Sequence, residues 1–230
     1  MIIGGLLKSS LVEYPGKISA VIFTVGCNFR CHYCHNPELV NPELTPPEKY
    51  TESQILDFLE KRRGKLDAVV ITGGEPLIHP NIYHFISKIK KKGFLIKIET
   101  NGSKPELLKK LIQENLLDYI AMDIKAPPEK YEIVSGVKIE FERIFQSIKL
   151  IMSSRTPHEF ITTYAKQFLT PDDIISIAQI IEGAQTYIIQ KMHTLKTLNT
   201  SLIKPCEYAQ DELEKLKEQV SRYVKHCKIR

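Results

Sequence analysis

Six short apolar segments alternate with amphipathic helical patterns along the 230-residue chain, and this alternation restricts the fold more than any other feature. The segments are rich in Ile, Val, Phe and Thr, which strands favour, and they are apolar almost without interruption. Such runs are typical of strands buried on both faces and therefore predict a parallel sheet covered by helices. The six predicted strands cover residues 18–26, 66–74, 94–102, 119–125, 159–166 and 186–193.

Helix signals stand at the ends of the intervening segments. Thr51, with Gln54 three residues later, predicts a capping box at the start of one helix. Pro105 stands early in another helix, where its missing N–H has no partner to lose, and Gly93 suits the position just beyond a helix C-terminus. Strand and helix alternate throughout, so we expect a single α/β domain. Its expected parts are an N-terminal extension over 1–17, a core over 18–193 and a C-terminal helical segment over 194–230.

Residues able to do chemistry stand at the ends of five of the six predicted strands. They are Cys27 after the first strand, Glu75 after the second, Thr100 and Asn101 in the third, Asp123 and Lys125 in the fourth, and His193 at the sixth. Barrel enzymes collect their sites at the carboxyl ends of all strands, whereas doubly wound sheets use mainly one crevice. The pattern therefore favours a partial (β/α)6 barrel of parallel strands, open on one side because six units cannot close a sheet that eight close.

Composition and charge narrow the class of protein. The chain has 43% hydrophobic and 26% charged residues, as soluble proteins do, and no apolar run reaches the length that spans a membrane. The N-terminal segment lacks the basic region and cleavage site of a signal peptide. We therefore expect a cytoplasmic protein with reduced thiols. The net charge is only +5 and no nucleic-acid-binding motif is present, so neither a membrane nor a nucleic acid is an expected partner.

Three cysteines, Cys27, Cys31 and Cys34, lie within the ten residues "CNFRCHYCHN", and no fourth follows until Cys206. A reducing compartment and an odd local count argue against disulfides. A zinc site of three cysteines and one of the adjacent histidines stays open. An iron–sulfur cluster also takes thiolates at short spacings. Three ligands on a four-iron cluster would leave one iron without a protein ligand, and an open position is what a catalytic metal needs.

The stretch "CNFRCHYC" matches the Cys-x3-Cys-x2-Cys signature of the radical S-adenosylmethionine (SAM) superfamily, with an aromatic residue, Tyr33, before the last cysteine. The sequence "TGGEP" at 72–76 resembles the second-strand motif of that superfamily. Four further stretches, "VEYPG", "HNPEL", "ETNG" and "MDIK", are similar to glycyl-radical-enzyme activases. Among these, the chain most resembles the activating proteins of anaerobic ribonucleoside-triphosphate reductases, from about Gly4 to His193.

This resemblance implies a cofactor and a reaction. Cys27, Cys31 and Cys34 would hold one [4Fe–4S] cluster, whose unique iron binds the amino and carboxylate groups of SAM. Reductive cleavage of SAM would give a 5′-deoxyadenosyl radical, which takes a Cα hydrogen from a glycine of a partner glycyl radical enzyme. The expected partner is an anaerobic ribonucleotide reductase, and the expected electron donor is a flavodoxin or a ferredoxin. No catalytic residue beyond the cluster and cofactor site is implied.

The resemblance also implies a SAM site along the strand ends. Glu75 would complement the methionyl ammonium group, and the ammonium group of Lys125 would pair with the carboxylate. The complete implied set is Tyr33, Gly73, Gly74, Glu75, Pro76, Thr100, Asn101, Asp123, Lys125 and His193. A monovalent cation could lie near Glu99, Thr100 and Asp123. Two alternatives stay open: Asp123 as an ion-pair partner of Lys125, and Tyr33 as a plain core aromatic.

One segment departs from the family pattern. Relatives often carry an arginine where this chain has Ile161, and a Pro-Gly pair where it has Lys166 and Gln167. A SAM contact is therefore lost there or supplied by Lys166. Cys206 and Cys227 lack cluster spacing, and no inserted segment for a second cluster is present.

The N-terminal region and two other functions complete the expectations. Glu13, in "VEYPG", aligns with an acidic residue that in related activases lies where the partner's glycine loop enters. Its alternative is an exposed loop carboxylate. The second candidate function is a radical SAM enzyme acting on a small molecule, similar to carboxy-deazaguanine synthase. The third is a noncatalytic zinc-binding interaction protein, for which "GGEP" and the strand-end residues would have no role.

Overall fold

A single eight-stranded sheet organises the chain, for which a computed structural model describes residues 1–41, 50–194 and 196–230. The spatial order follows the sequence order, from the first strand to the eighth. The strands are β1 Ile3–Ser10, β2 Ser19–Thr24, β3 Ala68–Gly73, β4 Leu95–Thr100, β5 Tyr119–Asp123, β6 His158–Tyr164, β7 Thr186–Lys191 and β8 His226–Ile229. Strands β2 to β8 are parallel, and β1 runs antiparallel to β2.

The sheet is open along one side. Within the described residues no hydrogen-bonded pairing joins β1 to β8, so these two strands form its edges. The prediction of a parallel α/β fold with a partial barrel open on one side is therefore confirmed. All six predicted strands are present with slightly different bounds.

Helices cover the outer face of the sheet. They are α1 Pro37–Val40, α2 Glu52–Lys61, α3 Ile82–Lys91, α4 Pro105–Gln113, α5 Tyr131–Ser135, α6 Phe141–Ser153, α7 Pro171–Ile180 and α8 Gln210–Val220, with short 3-10 turns at Pro76–Ile78 and Pro128–Lys130. The predicted capping box starts α2: the Thr51 hydroxyl accepts from the Gln54 N–H at 3.2 Å, and the Gln54 side chain accepts from the Thr51 N–H at 2.8 Å. Every described helix is too short or too polar to cross a bilayer.

The two faces of the sheet differ in chemistry. Ile96 and Ile98 of β4 are fully buried in the large apolar cluster beneath the helices. Because side chains alternate along a strand, Lys97 and Glu99 point into the barrel interior. Tyr14 packs against Tyr119 at the amino end of the parallel strands, with 5.7 Å between ring centroids. Tyr14 also packs with Val21, Ala68 and Val70 in a small apolar cluster. The barrel interior therefore combines apolar packing near the amino ends of the strands with charged side chains.

Two strands were absent from the sequence prediction. The N-terminal extension forms β1, and the C-terminal segment, expected to be helical, ends in β8 after α8. Both are edge strands: β1 carries two glycines and several polar residues, and β8 has only four residues. Neither has the continuous apolar pattern that is typical of a strand buried on both faces, and three consecutive residues of β1 are exposed.

Candidate active site

One cavity of about 390 Å³ opens at the carboxyl ends of the strands and continues through the barrel interior. All the parallel strands from β2 to β7 contribute to its lining, as does Arg230 directly after β8. The predicted site residues that line it are Cys27, Cys31, Tyr33, Cys34, Gly73, Gly74, Glu75, Thr100, Asn101, Asp123 and Lys125. The structure therefore brings nearly the whole predicted set together around a single space.

The three cysteines lie on the loop that follows β2. The Phe29 N–H donates to the Cys27 sulfur at 3.3 Å, and the Cys34 N–H donates to the Cys31 carbonyl at 3.0 Å, which curls the loop around the cavity. Burial raises the pKa of the Cys27 thiol to about 11 and that of the Cys31 thiol to about 12, and it also raises the pKa of Cys34. The metal-free thiols are therefore protonated, and metal binding must release their protons.

The Gly73-Gly74 pair allows β3 to approach the cysteine loop closely. The Gly74 N–H donates to the Thr24 carbonyl and the Glu75 N–H donates to the Gly26 carbonyl, each at 2.8 Å. A Cβ on Gly73 would lie 2.4 Å from the Thr24 nitrogen, and one on Gly74 would lie 2.0 Å from the Gly26 oxygen. Both positions require glycine because a side chain would overlap the neighbouring backbone. This requirement adds to the close approach of SAM that the resemblance implies.

The Glu75 carboxylate is buried and held by three donors. It accepts from the Thr100 hydroxyl at 2.7 Å, the Asn101 N–H at 2.6 Å and the Leu77 N–H at 3.0 Å. Burial raises the pKa of Glu75 to about 7, against the opposing effect of these hydrogen bonds. Glu75 thus fixes the end of β4 against the turn after β3. Pro76, at the start of that turn, is buried and does not line the cavity.

Asn101 links β4 to the cysteine loop. Its side-chain N–H donates to the Asn28 side-chain oxygen at 2.9 Å and lies 4.0 Å from the Cys27 sulfur. The Asn28 amide donates in turn to the Ser103 hydroxyl at 2.8 Å. The two asparagines therefore hold the first cysteine in a fixed position relative to the sheet.

Lys125 and Asp123 form an ion pair, with 3.2 Å between Nζ and Oδ2. Burial disfavours the charge on Lys125, but the adjacent Asp123 carboxylate raises the pKa of its ammonium group above the ordinary value. Lys125 is therefore a cation beside the cysteines, paired with Asp123. The Tyr33 hydroxyl is buried and has no hydrogen-bond partner among the described residues.

The carboxylates suggested as ligands of a monovalent cation already form ion pairs with lysine side chains. Lys97 lies 3.1 Å from a Glu99 oxygen, and the Thr72 hydroxyl donates to the other oxygen at 2.8 Å. Asp123 has its own ammonium partner. We therefore assign no role to a cation at this position.

His193 lies outside the cavity lining, and its side chain is exposed. Its carbonyl oxygen lies 2.9 Å from Nε2 of His35, and His35 does line the cavity. His193 thus contacts a cavity-lining residue, His35, through its main chain. His35 is not in the predicted set of site residues, although its position directly after Cys34 could have indicated that it lies at the site.

Lys166 does not replace the arginine missing at Ile161. Lys166 pairs with Glu212 of α8 and does not line the cavity, whereas Ile161 does. Arg230 does line the cavity, and sequence reasoning missed it because β8 was not predicted. Glu13 lines the same cavity from the amino end of the barrel, where the loop after β1 lies.

The residues present fit a four-iron cluster. Three thiols line one cavity together with the Lys125 ammonium group, whose positive charge favours thiolate ligands. Among the described residues no three His, Cys, Asp or Glu side chains converge on one metal ion. In a four-iron cluster each thiolate binds a different iron, so its ligands need not converge.

Comparisons with known proteins agree with this geometry. The profile of the Radical SAM superfamily matches residues 21–181. A Methanocaldococcus jannaschii protein named "Putative glycyl-radical enzyme activating enzyme" is 32% identical over 237 aligned positions, covering 100% of this chain and 95% of the relative. The pyruvate formate-lyase-activating enzyme of Clostridium pasteurianum is 30% identical over 55% of this chain and 53% of its own length. The 7-carboxy-7-deazaguanine synthase of Methanopyrus kandleri is 32% identical over 50% of this chain and 52% of its own length.

Solved structures share the fold at low sequence identity. Streptococcus suis SuiB bound to S-adenosylmethionine superposes with a TM-score of 0.68 at 16% identity, over 90% of this chain and 49% of that chain. Coproporphyrinogen III oxidase from Escherichia coli, a radical SAM enzyme, gives 0.60 at 16% identity, over 92% and 53%. The chain thus spans about half the length of these two proteins. With the matching profile and the full-length relative, the three-cysteine cavity identifies the chain as an enzyme of the radical SAM superfamily, whose members bind a [4Fe–4S] cluster and SAM.

Proposed function

We propose that this enzyme is an activase that installs a glycyl radical on a partner glycyl radical enzyme, namely an anaerobic ribonucleoside-triphosphate reductase. One observation carries the proposal: a single cavity joins the three cysteines to Glu13 and extends to the open side of the sheet. The full-length similarity to the M. jannaschii protein supports it, as does the half-length similarity to the pyruvate formate-lyase-activating enzyme. The reductase as partner rests on motif resemblance alone.

When bound, the [4Fe–4S] cluster and SAM supply, with one added electron, a 5′-deoxyadenosyl radical able to take a glycine Cα hydrogen. In this proposal Cys27, Cys31 and Cys34 hold the cluster. Lys125 pairs with the methionyl carboxylate, for which it is suited because its ammonium group keeps its charge when buried. Glu75 keeps the turn after β3 in place through its three hydrogen bonds.

The open side suits a protein substrate. A loop of a partner enzyme can pass between β1 and β8, which no described pairing joins, whereas a small substrate would more often require a lid that excludes water. We further propose that residues 1–230 act as one radical SAM domain in the cytoplasm, where free cysteines stay reduced. A flavodoxin or ferredoxin would deliver the electron.

Chemistry on a small molecule is the second candidate, because a 7-carboxy-7-deazaguanine synthase matches half of this chain. The two candidates differ in the source of the hydrogen atom. An activase takes it from a partner protein and leaves the radical there, whereas a synthase takes it from a diffusible substrate. A test that follows the fate of the radical therefore separates them.

The reductase from the same organism is expected to gain a stable glycyl radical when incubated anaerobically with this enzyme, SAM and a reductant. The signal is a doublet in electron paramagnetic resonance, because one Cα hydrogen remains on the radical carbon. The doublet should collapse when the reductase is made with Cα-deuterated glycine. A Cys34→Ala enzyme is the matched control and should give no signal. Fast SAM turnover driven by a purine-like small molecule, with no radical on the reductase, would make the second candidate correct.

Glu13→Ala is expected to lower partner activation more than uncoupled SAM cleavage, so that the ratio of the two rates falls about tenfold. Glu13 lines the cavity from the amino end of the barrel, opposite the strand ends that carry the cysteine loop, and its carboxylate can accept a hydrogen bond from an entering main chain. Glu182→Ala, an exposed carboxylate outside the cavity, is the control and should leave the ratio unchanged. An equal fall of both rates would place Glu13 in the cofactor site instead.

A further inference from the structure

The half of the cavity away from the cysteines has a charged residue with no role in the cofactor site. Arg230 follows β8, where its N–H donates to the Ile189 carbonyl at 3.0 Å and its carbonyl accepts from the Lys191 N–H at 2.8 Å. Its main chain is thus fixed to β7. Its side chain is 50% exposed and also lines the cavity, so it extends from the open edge of the sheet into the barrel.

A buried carboxylate orients the Arg230 side chain. Glu159 of β6 is 4% exposed, and its Oε1 lies 3.7 Å from the guanidinium group and 3.0 Å from the ammonium group of Lys97. The Tyr119 hydroxyl donates to the other Glu159 oxygen at 3.2 Å. Lys97 is shared between Glu99 and Glu159, so Arg230 supplies the second positive charge beside these two carboxylates. Its 3.7 Å contact with Glu159 is longer than a hydrogen bond, and it therefore orients the guanidinium group without using all five of its N–H donors.

An acceptor faces the same cavity from the opposite edge. Lys97 donates to the main-chain carbonyl of Glu13 at 2.8 Å and so fixes the loop that follows β1. Glu13 lines the cavity, and its carboxylate has no ion-pair partner among the described residues. A guanidinium donor on the β8 side and a carboxylate acceptor on the β1 side therefore flank the open side of the barrel.

A polypeptide main chain offers both groups that this pair can bind. We propose that Arg230 is a substrate-binding residue that donates to main-chain carbonyls of the partner's glycine segment, while Glu13 accepts from a main-chain N–H of the same segment. The inference rests on the proposed activase function and deepens it, since it assigns the recognition of an extended peptide to this pair. Small carboxylates would use Arg230 but would be repelled by Glu13.

The test compares Arg230→Gln and Arg230→Lys with Arg222→Gln, which changes an exposed arginine outside the cavity. The first measurement is the KM for the same organism's anaerobic ribonucleoside-triphosphate reductase in glycyl-radical formation. The second is the Kd of a fluorescent peptide from that reductase's glycine segment, measured without reductant. We expect Arg230→Gln to raise both constants about tenfold or more, because a charged hydrogen bond is lost. Arg230→Lys should lie in between, because lysine keeps the charge but lacks the planar fork.

The outcomes separate this inference from the proposed function. If wild-type enzyme activates the reductase but Arg230→Gln behaves like Arg222→Gln in both measurements, the inference is wrong and the activase function stands. If Arg230→Gln lowers the melting temperature and all activities together, Arg230 has a structural role and the inference is likewise wrong. If wild-type enzyme neither activates the reductase nor binds the peptide, both proposals fail together.

Discussion

Replacement of any one of Cys27, Cys31 and Cys34 by alanine is expected to abolish cluster binding and reduce SAM cleavage to the level of a protein-free control. All three thiols line one cavity, and a four-iron cluster with only two protein ligands is exposed to loss of iron. Wild-type enzyme reconstituted anaerobically should contain about four irons and four sulfides per chain. Each variant should contain less than half of this, by metal analysis and visible absorption.

Two other cysteines provide matched controls for that experiment. Cys206 is half-buried and Cys227 is buried on β8, and neither lines the cavity. Alanine at either position should keep the full iron and sulfide content, with only a small loss of stability from the missing buried sulfur at Cys227. Stoichiometric zinc without sulfide in the wild-type protein would contradict the cluster and favour the zinc-binding alternative.

The central strands were predictable because each is buried on both faces. β3, with Val69, Val70 and Ile71 all fully buried, shows why: helices cover one face and the barrel interior lies on the other. A continuous apolar run is the only pattern that suits such a position. The edge strands β1 and β8 both contain exposed residues, so their sequences carry no such run and do not predict buried strands.

The cofactor half of the site was predictable for a different reason. Its residues follow predicted strands directly, so the topology of a parallel sheet brings them to the same end. Arg230 was not predicted because it follows β8, a strand that the sequence does not indicate, and the role of Lys97 depends on its tertiary pairing. Lys97 lies in an apolar run, and only the register of β4 places its ammonium group between Glu99 and Glu159.

Gly74 illustrates a role that sequence reasoning assigned only in part. Its motif resemblance implied space for SAM, while the structure adds a requirement from the protein's own backbone. Two main-chain hydrogen bonds join the turn after β3 to the end of β2 and the loop that follows it. The Gly74 N–H donates to the Thr24 carbonyl, and the Glu75 N–H donates to the Gly26 carbonyl. The loop that carries the cluster ligands is thereby attached to the sheet at a position where no side chain fits.

Gly74→Ala is therefore expected to destabilise the protein and to impair cluster binding at once. The new Cβ would lie 2.0 Å from the Gly26 oxygen and 3.0 Å from the Leu39 oxygen, and both are backbone atoms that cannot rotate away. Overpacking of this kind costs about 3 kcal/mol in the free energy of unfolding. For a chain of this length that corresponds to a fall of about 10 °C in melting temperature. Thermal unfolding of the metal-free protein and iron content after reconstitution measure the two effects separately.

Gly5→Ala is the matched control for this change. The same methyl group at Gly5 would meet only the ring of Phe23, at 3.3 Å, and a side chain can shift where a backbone carbonyl cannot. Its melting temperature and iron content should stay close to those of the wild type. If Gly74→Ala were as stable as Gly5→Ala but bound SAM poorly, the glycine would serve the cofactor alone. If instead both stability and iron content fall while Gly5→Ala is unaffected, the contact between Gly74 and Gly26 is what holds the cluster loop in place.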